Sequence, residues 1–228
     1  MGPQRLLHLP GAVLEGLRHA ATLCEPVPKA KLRLGVSACL LGARVRYDGG
    51  DARHPRLSGP LARAVEWVPV CPEVELGLGV PRPPLLLRGD PAAPRLVVAA
   101  TGADLTRRMR RFAAARARAL ARLGLDGFVL KSRSPSCGLA GVPVHDPRGG
   151  TARPGRGLWA AALLARLPTL PVIEETALDD PVARAAFVRR ALARARRRGR
   201  RATAPRPLRA LTPRATPRAP ARRPPRRT

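Results

Sequence analysis

Three short apolar runs, each followed by a cysteine within seven residues, restrict the fold of this chain more than any other feature. The runs are 32–36, 67–70 and 127–130, and the cysteines that follow them are Cys39, Cys71 and Cys137. Short, mainly apolar runs are typical of buried strands in a parallel sheet. Because parallel strands end at the same edge of a sheet, where α/β proteins bind ligands, we expect the three thiols to converge on one site.

The three predicted strand-end cysteines indicate a metal centre. Three thiolates with one open position suit an iron–sulfur cluster that performs chemistry, whereas a closed structural zinc site has four ligands. The alternative is that some of these thiols are structural, since free cysteine is commonly buried. The fourth cysteine, Cys24, has no comparable sequence around it, and we interpret it as a bystander rather than a ligand.

Alternation of strand-like and helix-like segments predicts an α/β fold, with a mostly parallel, Rossmann-like sheet and helices on both faces. The strongest helix is predicted over 104–123, because apolar residues recur there at helical spacing and Gly124 follows. A hairpin is predicted from the runs 85–87 and 96–100, which flank a Gly-Asp-Pro turn. Other strands are predicted over 31–37, 128–131, 142–145 and 172–174, and other helices over 11–23, 58–66, 157–167 and 181–198.

Charge divides the chain into two kinds of sequence. All 15 acidic residues lie at or before Asp180, and 17 arginines follow it. We predict an N-terminal extension over 1–30, an α/β domain over 31–190, and a disordered Arg/Pro/Ala-rich tail over 191–228, since such a tail cannot bury enough apolar surface to order itself. The basic tail is expected to contact nucleic acid non-specifically through phosphates, because it has no aromatic side chains for base stacking.

The sequence shows no segment typical of membrane insertion or secretion. No apolar run is long enough for a transmembrane helix, and the first residues lack the unbroken apolar stretch of a secretory signal. We therefore expect a cytoplasmic protein without a membrane partner.

Three longer motifs around the cysteines resemble those of one bacterial family. They occur in the order VSACLLGARVRYDGG, VPVCPEVELGLGVPRPP and FVLKSRSPSCG, and the resemblance runs from about Leu34 to about Val188. The family is the thiouracil desulfurase-like family, also known as domain-of-unknown-function family 523. The ELGLGVPR segment is similar to the branch that is fused to a second domain, of family 1722. Because an Arg/Pro/Ala segment stands where that branch continues, we interpret this chain as a truncated or frameshifted copy.

The resemblance implies both a cofactor and a reaction. It implies a 4Fe–4S cluster held by Cys39, Cys71 and Cys137, with the fourth iron free to take the sulfur of a thiolated nucleobase. It implies non-redox removal of that sulfur as sulfide from a small thiolated compound such as a thiolated pyrimidine. By position in the motifs, Glu73 and Ser134 resemble the family's catalytic pair. A non-catalytic metal-binding protein with a nucleic-acid-associating tail is the alternative function.

The chemistry of the reaction suits these two residue types. Replacing sulfur by oxygen at a ring carbon needs water attack and proton movement, which a carboxylate and a hydroxyl can assist. The alternatives are that Glu73 is a solvated or salt-bridged loop carboxylate and that Ser134 is a turn-forming serine before proline. Ser136 is the second candidate for the hydroxyl.

Further residues of the motifs are candidates for lining a pocket. The candidates are Ser37, Arg46, Tyr47, Asp48 and Lys131. In the alternative interpretation of the RYDGG segment, the two glycines form a tight turn and Arg46 pairs with Asp48. A glycine after the third cysteine, Gly138, is expected to allow a close approach of the backbone.

Overall fold

The computed structural model describes residues 31–58 and 65–199, which form an α/β fold. Its strands are β1 (Arg33–Ser37), β2 (Glu66–Val70), β3 (Leu85–Arg88), β4 (Arg95–Val98), β5 (Gly127–Leu130), β6 (Val142–His145), β7 (Arg153–Gly155) and β8 (Val172–Glu174). Its α-helices are α1 (Pro72–Glu75), α2 (Thr106–Leu123), α3 (Leu158–Arg166) and α4 (Pro181–Arg197).

Four parallel strands form the central sheet, in the order β2-β1-β5-β8. Val36 of β1 lies opposite Pro69 of β2 on one side and Val129 of β5 on the other. The chain first moves from β1 to β2 and later returns to the other side of β1, so the strand order reverses at β1. Crevices at such reversals, beyond the carboxyl ends of the strands, are where α/β sheets bind ligands.

Helices cover both faces of this sheet, as the sequence predicts. On one face, Leu34 and Val36 share a buried cluster with Phe187 and Val188 of α4. On the other face, Phe128 and Leu130 of β5 share a cluster with side chains of α2 and α3, including Ala117, Trp159 and Leu163. Gly35 lets the Phe128 ring pack against β1, since a Cβ at this position would lie 2.2 Å from the ring.

A second, mixed sheet stands beside the parallel one, in the order β4-β3-β6-β7. The predicted hairpin is its β3–β4 pair, which is antiparallel. Met109 of α2 and Leu158 of α3 cover this sheet together with its own apolar residues. The sequence predicts β3, β4 and β6 but not β7, where only a Gly-rich turn is expected, and it does not indicate that these strands form a separate sheet.

Helix α2 shows why the 104–123 segment was the clearest helical prediction. Its buried residues are Met109, Ala113, Ala117 and Leu120, which lie on one face at helical spacing. Asp104 accepts a 2.8 Å hydrogen bond from the backbone N–H of Thr106 at its start. Gly124 ends the helix in a left-handed conformation, with φ of 69°.

The structure moves two of the predicted boundaries. The helix predicted over 58–66 is wrong at its end, because Glu66 belongs to strand β2 and pairs with Arg33 of β1. Helix α4 continues through Arg197, with Ala191 and Ala195 fully buried, so the predicted domain boundary at residue 190 falls inside it.

Several predicted features lie outside the described residues. They are the extension over 1–30 with its helix and Cys24, the middle of the 58–66 segment, and the tail from residue 200. Among the described residues, no helix is both long enough and apolar enough to cross a membrane.

Candidate active site

A cavity of about 420 Å³ lies at the carboxyl edge of the parallel sheet, and all three predicted ligand cysteines line it. Its walls come from the turns that follow β1, β2 and β5, together with the segment before β3. The polar residues that line it are Ser37, Arg46, Tyr47, Glu73, Arg82, Lys131, Ser132, Arg133, Ser134 and Ser136.

The first thiol, Cys39, is held in a 3₁₀ turn, Ala38–Leu41, directly after β1. Gly42 ends this turn with φ of 92°, a left-handed conformation that favours glycine. The carbonyl of Cys39 accepts hydrogen bonds from the backbone N–H groups of Gly42 at 3.0 Å and Ala52 at 3.1 Å. These bonds fix the backbone that carries the thiol at the end of the strand.

The second thiol, Cys71, stands at the N-terminus of the short helix α1, directly after β2. Its backbone N–H donates to Oε1 of Glu75 at 3.1 Å, and its sulfur lies 3.8 Å from the carbonyl oxygen of Val45. Helix α1 also carries Glu73 into the cavity, so one turn of chain supplies both a thiol and a carboxylate.

The third thiol, Cys137, lies in a tight loop after β5. The hydroxyl of Ser134 accepts the backbone N–H of Cys137 at 3.1 Å, and the carbonyl of Ser134 accepts that of Gly138 at 2.8 Å. A Cβ on Gly138 would lie 2.3 Å from a methyl group of Val142 and 2.9 Å from the carbonyl oxygen of Ser134, so this loop has no room for a larger residue.

Burial raises the pKa of each of the three thiols. The pKa of Cys39 rises to about 11, and those of Cys71 and Cys137 also rise, because the surroundings disfavour the thiolate. Because all three thiols line the same cavity, a negative charge on Cys39 or Cys71 further raises the pKa of Cys137. A thiol of this kind releases its proton when it binds a metal.

The three thiols line one cavity without forming a binding site for a single metal ion. Among residues 31–58 and 65–199, no three His, Cys, Asp or Glu side chains lie close enough together to hold one metal ion. All ligands of a single zinc ion lie within about 2.3 Å of it. The thiolates of an iron–sulfur cluster instead bind different iron atoms, so their sulfurs stand further apart.

The carboxylate of Glu73 is held from two sides. Arg82 donates to its Oε2 from Nε at 2.9 Å and from Nη2 at 2.8 Å. Ser136 donates from its hydroxyl to Oε1 at 2.6 Å. The Glu73 side chain is 12% exposed, so this pair of contacts, rather than water, sets its orientation.

The two candidate serines differ in their partners. Ser136 is 1% exposed and contacts Glu73 directly. Ser134 is half-buried, and its hydroxyl lies 3.1 Å from that of Ser136 while it accepts two backbone N–H groups of its own loop. Since the hydroxyl proton of Ser136 points to Glu73, the two hydroxyls and the carboxylate form one hydrogen-bonded chain.

The RYDGG segment combines both of its predicted interpretations. Arg46 pairs with Asp48 at 3.1 Å, and Asp48 accepts the backbone N–H of Gly50 at 3.0 Å, which lowers the pKa of Asp48. Arg46 and Tyr47 nevertheless line the cavity, and the Arg46 guanidinium lies 5.8 Å from the centre of the Tyr47 ring. Tyr47 is 43% exposed, so its ring stands at the mouth of the cavity.

A second ion pair holds the cavity-lining residue Lys131. Lys131 contacts Glu175 at 2.5 Å, and Ser132 donates to the same carboxylate from its backbone and its hydroxyl. Burial alone would raise the pKa of Glu175, but the hydrogen bonds from Lys131 and Ser132 outweigh it and lower that pKa. The backbone N–H of Lys131 donates to Ser37 at 3.0 Å, which joins β5 to β1 at the cavity.

Comparison with known proteins assigns this arrangement to a family. Residues 34–175 match the family described as 2-thiouracil desulfurase. The chain belongs to this family. The match begins in β1 and ends at Glu175, so it contains every cavity residue described above.

Two relatives of this 2-thiouracil desulfurase family member are informative. The uncharacterized protein YbbK of Bacillus subtilis (strain 168) is 31% identical over 150 residues, which cover 64% of this chain and 97% of that protein. The solved structure of TudS, described as a [4Fe-4S]-dependent thiouracil desulfidase, is 33% identical, with a TM-score of 0.51. The superposition covers 66% of this chain and 95% of TudS.

Sequence reasoning missed part of this family site. Arg82 was not singled out, although it is the one arginine inside the Val-Pro-Arg-Pro-Pro segment, where a lone charge among prolines is the available signal. The motifs favour Ser134 over Ser136, although Ser136 is the serine that contacts Glu73. Glu175 carried no signal, because its partner Lys131 lies 44 residues away.

Proposed function

We propose that this protein removes sulfur from a small thiolated compound, such as a thiolated pyrimidine, and releases sulfide. One observation carries the proposal: the three cysteines, Glu73, Ser134 and Ser136 line one cavity at the carboxyl edge of a parallel sheet. Membership of the 2-thiouracil desulfurase family and the likeness to a [4Fe-4S]-dependent thiouracil desulfidase support the same reaction.

We assign the role of cluster ligands to Cys39, Cys71 and Cys137. A bound 4Fe–4S cluster with three protein ligands supplies an iron with an open position, which acts as a Lewis acid toward sulfur. The three thiols are free of disulfides, and each lies on a backbone turn fixed by hydrogen bonds of its own.

The overall reaction needs water but no electrons. The oxygen of water bonds to the ring carbon, the carbon–sulfur bond breaks, and sulfur leaves with two protons as hydrogen sulfide. We assign Glu73 the role of accepting a proton from the attacking water. Its Oε1 has lone-pair capacity beyond the hydrogen bond from Ser136, because a carboxylate offers about four acceptor positions.

We assign Ser134 the role of moving a proton at the cavity surface. It is the more exposed of the two serines, and Ser136 lies between it and Glu73. A proton that leaves the Ser134 hydroxyl can therefore be replaced along the chain of hydroxyls. Arg46 and Tyr47 stand where a planar ring would enter, and Tyr47 offers an aromatic face for stacking.

The alternative function, non-catalytic metal binding, is less well supported. It requires either dispersed cysteines or a Glu73 that points away from them. Instead, Glu73 lines the same cavity, and its charge acts on both Cys71 and Cys137. A protein that only stores metal has no need of a carboxylate held in this position.

The test compares four single cysteine variants after anaerobic cluster reconstitution. We expect Cys39→Ser, Cys71→Ser and Cys137→Ser each to lose iron, visible absorbance and sulfide release from 2-thiouracil together. The matched control is Cys24→Ser, which should keep the iron content of the parent. Wild-type protein that binds a cluster but releases no sulfide from 2-thiouracil or 4-thiouracil would contradict the proposed function.

A further inference from the structure

Arg82 is a buried cation that joins three segments of the cavity wall. Its side chain is 5% exposed, although arginine is almost never this buried without partners. It follows the Gly/Pro-rich segment after α1 and precedes β3. No part of the reaction proposed above assigns it a role.

The contacts of the Arg82 guanidinium account for its burial. Besides its two bonds to Glu73, it donates from Nη1 to the carbonyl of Gly79 at 2.9 Å and from Nη2 to the carbonyl of Val45 at 2.9 Å. The backbone N–H of Arg82 donates to the carbonyl of Tyr47 at 2.9 Å. One residue thus holds the turn that carries Glu73 and the loop that carries Tyr47.

We propose, on the basis of the proposed function, that Arg82 is a positioning residue that couples Glu73 to the substrate-facing loop over 45–47. Its planar fork holds Oε2 of Glu73 through two donors and leaves Oε1 toward Ser136. The same fork fixes Val45, whose carbonyl also lies 3.8 Å from the sulfur of Cys71. A lysine cannot make these contacts together, because its ammonium is a single point donor group on a flexible stem.

The coupling predicts two separable kinetic effects. Loss of Arg82 frees the carboxylate of Glu73, so kcat should fall, by roughly 10- to 100-fold, the range expected when a positioned acid–base group is misplaced. Loss of the bonds to Val45 loosens the wall beside Tyr47, so KM for the thiolated substrate should rise as well. Glu73→Gln leaves the loop in place, so its effect should be confined to kcat.

A double-mutant cycle tests whether Arg82 acts through Glu73. If it does, Arg82→Met combined with Glu73→Gln should have the same kcat as Glu73→Gln alone, while KM remains raised. Multiplied kcat losses in the double variant would overturn the proposal, since Arg82 would then act independently of Glu73. Arg82→Lys is the second variant, to be used where Arg82→Met does not accumulate as folded protein.

Hydrogen exchange of the purified full-length protein provides a readout that does not depend on activity. In Arg82→Met, amides over 42–50 and 71–76 should exchange faster than in the parent. The matched control is Arg33→Met, which removes an ion pair with Glu66 at the opposite edge of the sheet and should leave both segments unchanged. Parental exchange in both segments of Arg82→Met would overturn the positioning role, even if the wild-type protein released no sulfide.

Discussion

The hydroxyl of Ser136 donates a 2.6 Å hydrogen bond to Oε1 of Glu73, which joins two turns that are 63 residues apart. The carbonyl of Ser136 accepts the backbone N–H groups of Trp159 at 3.0 Å and Ala160 at 3.2 Å, at the start of α3. Ser136 therefore ties the carboxylate not only to the third cysteine loop but also to a packed helix.

Alanine variants of the two serines should distinguish their roles. Ser136 orients Glu73, whereas Ser134 holds the backbone of Cys137. Ser136→Ala removes the donor to Glu73, and a hydrogen bond to a charged group is worth about 1.5–3 kcal/mol, so sulfide release should fall by about 10- to 150-fold with iron content retained. Ser134→Ala removes an acceptor of the Cys137 N–H, so iron content should fall together with activity.

Iron analysis and sulfide release on the same samples distinguish the two serine variants. Ser58→Ala is the control, because the Ser58 hydroxyl bonds only the carbonyl of His54 among the described residues, away from the cavity. Equal iron loss in both serine variants would show that the two hydroxyls share one structural role.

Glu73→Gln should separate cluster binding from catalysis. The amide keeps the shape of the side chain but cannot accept a proton, and no thiol is changed. Iron content should remain near that of the parent, while sulfide release falls by roughly 10²–10⁴, the usual contribution of a positioned acid or base. Release at the parental rate would mean that Glu73 is a structural loop carboxylate.

Gly157→Ala should destabilise the site through the backbone of Ser136. A Cβ at Gly157 would lie 2.3 Å from the carbonyl oxygen of Ser136, which is backbone and cannot rotate away. Overpacking of this kind costs about 1–3 kcal/mol, so the urea midpoint should fall. An unchanged midpoint would indicate that α3 moves freely relative to the third cysteine loop.

Asp104 should make the free energy of unfolding depend on pH in the acidic range. Hydrogen bonds from Thr106 and Arg95 lower its pKa from the ordinary 3.8 to about 2. A carboxylate whose pKa is lower in the folded state than in the unfolded state stabilises the fold. This stabilisation is fully present at a pH above the unfolded-state pKa and is lost as the pH falls through the folded-state pKa.

The measurement for Asp104 is the urea midpoint between about pH 4 and pH 2. The difference between wild type and Asp104→Asn should shrink as pH falls across this window. The effect should be small, because the Asp104 side chain is 37% exposed and water screens its partners. If the difference in urea midpoint between wild type and Asp104→Asn stays constant across this pH range, the charge of Asp104 is not the cause of the effect.

Removal of residues 200–228 should lower the affinity for nucleic acid without affecting the folded domain. The deletion takes away ten arginines and almost no large apolar side chain, so fold and iron content should be unchanged. Affinity for duplex DNA should fall, and in the full chain it should decrease steeply with salt, because arginines that neutralise phosphates release counterions. Loss of folded protein on truncation would show that the tail contributes to stability.

The sequence predicts the parts of the site that depend on local pattern. The positions of Cys39 and Cys71 follow from strands that end directly before them. Because these strands pair in parallel, both cysteines lie at the same edge of the sheet. Gly138 was predicted from its place after the third cysteine. These features need only the periodicity of the sheet and the chemistry of a tight loop.

The parts that the sequence does not predict depend on contacts between distant segments. Whether Ser134 or Ser136 turns toward Glu73 depends on how the third cysteine loop docks on α1. Arg82 lies in an irregular Gly/Pro-rich segment, where no repeat fixes the direction of its side chain. The second sheet was missed for the same reason, since its order depends on the pairing of β3 with β6.

The pairing of β1 with both β2 and β5 has a consequence for biogenesis. The three cysteines lie at positions 39, 71 and 137. The third thiol can therefore join the other two only after the ribosome has synthesised and released β5 and the loop that follows it. Parallel strands also pair late, because long crossovers must close first. The proposed cluster site is therefore complete only after synthesis has passed Cys137 and β5 has paired with β1.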